Sequence, residues 1–189
     1  SRQSEPHEPS ETAFAQAPLA VQFIYRLDRF GRGGHHKPFN DLGFAGVRIM
    51  EAHENYNRQH QDIRTENGIK YGDVLEGVNF KYAEKLTEVN AINLASLAWA
   101  PLAPKKVSIG GAVQPSTKLK WTKSTNPSIK GYKIYWRDTT SPTWDYSRYV
   151  GNVSEFTLDG IVIDNYYFGV VAVGENGYES LISFPSEVF

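Results

Sequence analysis

The chain has 189 residues, with 20 basic and 21 acidic side chains and a formal charge of −1, so nothing in its electrostatics calls for nucleic acid or an anionic membrane as partner. It has no cysteine, which excludes disulfides, thiolate catalysis and cysteine-type zinc sites. No apolar run approaches the ~18 residues of a membrane span, and the length suits one large domain or two small ones.

Residues 1–18 are rich in Pro, Glu and Ser and are expected to form a mobile arm. They lack the apolar core of a signal peptide, and the missing initiator Met reads as a processed or cut chain. Leu19 to Tyr25 is a β-favouring run and is predicted to be a strand. Arg26 to His36 then sets arginines and the pair His35-His36 on a glycine-rich frame, with no fingerprint of a phosphate cradle. Lys37 to Gly43 predicts one or two helical turns, with Pro38 near the start and Gly43 closing them. Phe44 to Met50 predicts a second strand.

The next stretch, Glu51 to Arg64, carries His53 and His60, the acids Glu51, Glu54 and Asp62, two arginines and Tyr56, with almost nothing to bury. A polar, ligand-rich loop leaving a buried strand is where an α/β protein keeps its chemistry. The competing reading is a solvated connection. Thr65 to Gly77 is expected to be irregular, broken by Gly68, Gly72 and Gly77. From Val78 the period changes: Tyr82, Leu86, Val89, Ile92 and Leu97 recur at helical spacing, with Asn79 as a possible cap. Pro101 and Pro104 end that helix and mark the expected domain boundary.

Beyond it, short β-rich runs alternate with turn signals: 118–122, 131–137, 146–150, 155–158 and 166–173. Tyr132, Ile134 and Trp136 fall on one face, as do Tyr166, Phe168, Val170 and Ala172. This pattern predicts an antiparallel sandwich with no catalytic constellation. Its motifs resemble a fibronectin type III domain: Trp121 in an early strand, Gly131-Tyr-Lys-Ile-Tyr-Trp-Arg137, and Asp164-Asn-Tyr-Tyr-Phe-Gly-Val-Val-Ala-Val173. In that family Tyr166 would be the tyrosine at the strand corner.

In the first half, Arg29-Phe-Gly-Arg-Gly-Gly-His-His-Lys-Pro-Phe39, Gly43-Phe-Ala-Gly-Val-Arg48, Glu54-Asn-Tyr-Asn-Arg-Gln-His-Gln-Asp62 and Tyr71-Gly-Asp73 occur in that order. They resemble the end of the catalytic domain in zinc-dependent aminopeptidases of the aminopeptidase S and transferrin-receptor type. The resemblance implies an α/β fold class for residues 19–101, as the end of an αβα-sandwich zinc-peptidase domain, followed by an all-β fibronectin type III sandwich over residues 104–189. It implies two zinc ions in the intact enzyme, His60 as the last metal ligand, and a peptide substrate. The other ligands and the general base would lie in an amino-terminal part of the domain that this chain lacks, so no catalytic residue is assigned here and the isolated chain is expected to be inactive. A secreted or periplasmic location is implied as well.

Pocket candidates around His60 are Arg32, His35, His36, Glu54, Tyr56, Gln59 and Asp62, with Asp62 as one candidate among the neighbouring acids to orient the second imidazole nitrogen. Two positions depart from the family. His35 stands where an acid is usual, and Gln59 stands where many members have a tyrosine. Two other functions stay open: a non-catalytic interaction or adhesion module that keeps a peptidase fold, and cyclising acyl transfer of the glutaminyl-cyclase kind.

Overall fold

The computed structural model describes residues 20–189 apart from Leu27 and Ala52, so the expected arm over residues 1–18 lies outside the described residues. Two compact units divide the chain, Ser1–Glu88 and Val89–Phe189.

In the first unit a short helix α1, Lys37–Asp41, forms where Pro38 presets the first turn, and Gly43 ends it at a φ of 82°. The Asn40 side-chain amide donates to the carbonyls of Phe44 (3.1 Å) and Gly46 (3.2 Å), which folds the following segment back onto the helix. The stretch expected to be irregular contains a hairpin instead: β1, Arg64–Glu66, pairs antiparallel with β2, Ile69–Tyr71. Asn67 and Gly68 make its two-residue turn at φ 51° and 79°, the pair of left-handed angles that matches strand twist. Arg64 lies 3.9 Å from the centre of the Tyr71 ring, its cross-strand partner.

The strands expected at 19–25 and 44–50 are a correction. Ala20 to Tyr25 and Phe44 to Met50 have no ladder partner among the described residues. Their apolar side chains stand open, with Val21 61%, Phe23 71% and Val47 83% exposed. Hydrophobic run and β propensity are present, but a strand exists only when a neighbour takes its backbone N–H and C=O groups. The α/β layer expected for residues 19–101 is therefore not seen among the described residues.

Helix α2 runs Phe80–Trp99. The Asn79 side-chain oxygen accepts the Tyr82 N–H at 3.0 Å, the capping role its position predicts. Pro101 follows two residues after the last turn. In the second unit the end of α2 is tied down, with the Trp99 ring 5.3 Å from that of Tyr178 and the Trp99 carbonyl accepting from the Asn176 amide at 3.4 Å.

Seven strands follow: β3 Lys105–Gly110, β4 Thr117–Thr122, β5 Ile129–Asp138, β6 Tyr146–Gly151, β7 Glu155–Leu158, β8 Tyr166–Gly174 and β9 Glu187–Val188. They make two sheets, ordered β7-β4-β3-β9 and β6-β5-β8, antiparallel except for the parallel β3–β9 pair. The predicted sandwich is present, and the five expected runs are β4 to β8. Alternation explains the core: Leu119 and Trp121 from one sheet meet Tyr132, Ile134, Trp136, Phe168 and Val170 from the other. The Tyr132 hydroxyl is satisfied by the Ser124 N–H at 2.6 Å. Every buried apolar side chain among the described residues belongs to this unit.

Candidate functional site

The polar stretches 28–36 and 48–60 are held together by charge rather than by apolar packing. The Arg29 guanidinium donates to both Glu54 oxygens at 2.9 Å. Asp28 accepts the Arg29 backbone N–H at 2.7 Å and faces the Arg48 guanidinium at 3.3 Å and His36 Nε2 at 3.5 Å. The side chains of Asp28, Arg29, His36 and Glu54 are only 7–11% exposed. Both contacts come from one Arg29 nitrogen, Nη1, and as charge-assisted bonds they tie the second loop to the first.

The electrostatics follow the geometry. The Arg29 N–H bond is the largest influence on Asp28 and holds its carboxyl below the ordinary value of 3.8 against the cost of burial. Burial is the largest influence on Glu54 and favours its neutral form. The Arg29 hydrogen bond is the largest opposing influence, and together with Tyr56 and the positive charges of Arg29 and Arg32 it outweighs burial, so Glu54 titrates below the ordinary 4.5.

His60 sits at the far end of the braced loop with φ 52°, in the left-handed region that few residues other than glycine adopt. It is open to solvent and lines an open cavity of about 590 Å³ together with Arg29, Arg32, His35, Lys37 and Arg48. Gly34 allows the wall to fold tightly there, since a Cβ on it would stand 2.9 Å from His36 Nδ1. Gly72 donates its N–H to the Asn57 carbonyl at 2.9 Å, so the hairpin tethers the loop from the other side.

The predicted site residues separate into two groups. His60, Arg32 and His35 share the cavity, and Tyr56 borders it through Arg32, whose guanidinium lies 6.0 Å from the Tyr56 ring centre. Glu54 and His36 belong to the buried brace and do not line the cavity. Gln59 is half-buried, and Asp62 is exposed, with its backbone carbonyl accepting from Arg64 at 3.4 Å. The orienting bond expected from Asp62 to His60 is not formed among the described residues. Arg29 and Arg48 were not among the expected residues. No local signal marks them, because Arg29 and Arg48 meet Glu54 and Asp28 from positions 20 to 25 residues away.

No family model matches the chain. Similar curated proteins are fungal. One from Leptosphaeria maculans, named "Probable zinc metalloprotease", is 45% identical over 168 residues, covering 88% of this chain and 39% of that protein. One of the same name from Phaeosphaeria nodorum is 38% identical over 184 residues, covering 95% of this chain and 37% of that protein. These relatives are named as probable zinc metalloproteases. The chain spans between 35% and 39% of the length of the first three relatives it matches. Similar solved structures are fibronectin type III domains. They include the FN1-FN3 domains of chicken CNTN1 (21% identity, TM-score 0.40, covering 44% of this chain and 30% of that one). Another is an Fn3-like protein from Clostridium thermocellum (25% identity, TM-score 0.35, covering 44% of this chain and 86% of that one).

The chemistry that those names imply can be set against the side chains present. A protein zinc site takes three or four imidazole, carboxylate or thiolate donors. Among the described residues no group of three or more such side chains converges. Taken by themselves, then, the described residues do not build a zinc centre, and His60 is a single open imidazole.

Proposed function

We propose that this chain is the carboxy-terminal part of a zinc aminopeptidase, with the strand sandwich as an appended fibronectin type III domain, and that His60 contributes one ligand to a zinc site completed by other parts of the protein. The observation that carries the reading is the 45% identity over 168 residues to a protein named as a zinc metalloprotease. The geometry supports it: an exposed imidazole at an unusual backbone angle, on a loop clamped by Arg29–Glu54 and by the hairpin, is presented rather than packed. In this reading the intact protein removes amino-terminal residues from peptides and works outside the cytoplasm. No helix among the described residues is long and apolar enough to cross a membrane.

A second reading, a peptidase-like module without catalysis, draws on His35 in place of an acid and on the lack of an orienting partner for His60 among the described residues. Metal analysis of the full-length protein separates the two. About two zinc ions per chain, falling in His60→Ala and unchanged in His53→Ala, together with release of leucine from a leucyl peptide, support the enzyme. A metal-free full-length protein, or equal losses in both variants, overturns the assignment of His60. Turnover of an amino-terminal glutamine substrate with no leucine release would point to cyclising acyl transfer.

A further inference from the structure

The wall that carries His60 is cationic. Arg29, Arg32, Lys37 and Arg48 line the cavity with His35 and His60, and no acid does so among the described residues. Three of those cations are already matched: Arg29 by Glu54 at 2.9 Å, Arg48 by Asp28 at 3.3 Å, and Lys37 by Asp41 at 2.8 Å. Arg32 is different. Its guanidinium lies over Tyr56 and forms no ion pair among the described residues, while Glu54, the acid whose titration it influences, gives both oxygens to Arg29.

We infer that this cavity takes a carboxylate of the substrate, with Arg32 as its principal partner. The inference rests on the peptidase reading and narrows its substrate class. A guanidinium with free N–H groups matches a carboxylate with two parallel bonds, and the Tyr56 ring, 6.0 Å away, does not neutralise it. The same wall repels a free amino group, so the ammonium end of a peptide must point away from it. The cavity is an open depression of about 590 Å³, large enough for a residue-sized group. The carboxylate is supplied either by the carboxy terminus of a dipeptide or by an acidic side chain after the scissile bond.

Initial-rate kinetics of the full-length protein test this on three peptides: leucylglycine, leucylglycinamide and leucylglutamic acid α-amide, whose side-chain carboxylate is retained and α-carboxylate blocked. Loss of a charged hydrogen-bond partner is worth about tenfold to a hundredfold in affinity. KM for leucylglycine is expected to be lower than for leucylglycinamide by about that factor, and Arg32→Gln is expected to remove the difference while Arg32→Lys restores part of it. A low KM for the glutamate peptide identifies the side chain as a source, and a low KM for leucylglycine alone identifies the carboxy terminus. Equal KM for all three peptides overturns the inference. If none is turned over, the peptidase reading fails, and calorimetry with acetylglycine against acetylglycinamide still decides the cavity. Heat that depends on the carboxylate and disappears in Arg32→Gln supports it; identical isotherms in wild type and variant overturn it.

Discussion

Glu54 and His60 lie six positions apart on one loop and have opposite fates. Glu54 is drawn inward by Arg29, while His60 is turned outward at φ 52°. Both were visible in the sequence as polar residues of types that serve in sites. What separated them was the position of Arg29, 25 residues upstream, which no local pattern reveals. The brace also sets a pH response. Asp28 and Glu54 titrate below their ordinary values of 3.8 and 4.5, so the folded state binds fewer protons than the unfolded one in the acid range. Their contribution to stability is full above the ordinary values and is lost as pH falls through the lowered ones. In the full-length protein the Glu54 carboxyl carbon should therefore titrate below 4.5 by NMR. The fall in melting temperature under acid should be shallower in Glu54→Gln. A Glu54 midpoint at or above 4.5 would contradict the brace.

Among the elements, those with an unambiguous period were legible. The β5 face of Tyr132, Ile134 and Trp136 is buried as its alternation required, and α2 starts at the Asn79 cap. The β1–β2 hairpin lies in a stretch where Gly68 reads as a breaker, although Asn67-Gly68 between Glu66 and Ile69 is a strong short-range hairpin signal. Strands β3 and β9 also went unpredicted. The first contains Lys106 at φ 51° and a shift of register before Ser108, and the second has two residues, so neither shows a clean alternation. The core they enclose is tightly specified. Leu119→Ala, at a site with no solvent exposure, should lower the stability of the sandwich by about 2–5 kcal/mol. Tyr132→Phe, which leaves the Ser124 N–H unpaired but keeps the ring, should cost only about 1 kcal/mol. Denaturant unfolding of both variants checks the order, and a larger loss for Tyr132→Phe would contradict it.

At the scale of the molecule, the two units differ in what holds them. Residues 89–189 own the whole described apolar core, and residues 20–88 show apolar side chains to solvent and rely on ion pairs and turns. Burial of apolar area is the main source of cooperative stability. A chain of residues 89–189 should therefore unfold in one sharp thermal transition with dispersed amide resonances. A chain of residues 20–88 should show neither, and a cooperative transition in it would overturn this account. The proposed function accords with that contrast, because the resemblance makes residues 19–101 only the end of a larger domain.

The sequence by itself determined the sandwich, the long helix and its cap, the polar character of the 51–64 loop and the likeness to zinc peptidases, because each rests on local period or residue type. Only the tertiary structure decided which polar residues brace and which are presented. It also decided that the apolar runs of the first unit stay unpaired among the described residues, and that Arg32 is left without a counter-charge there. The physical reason is the same for all three. Pairing, whether of a strand edge or of a charge, depends on what lies across from a residue in space, and adjacency along the chain does not encode it.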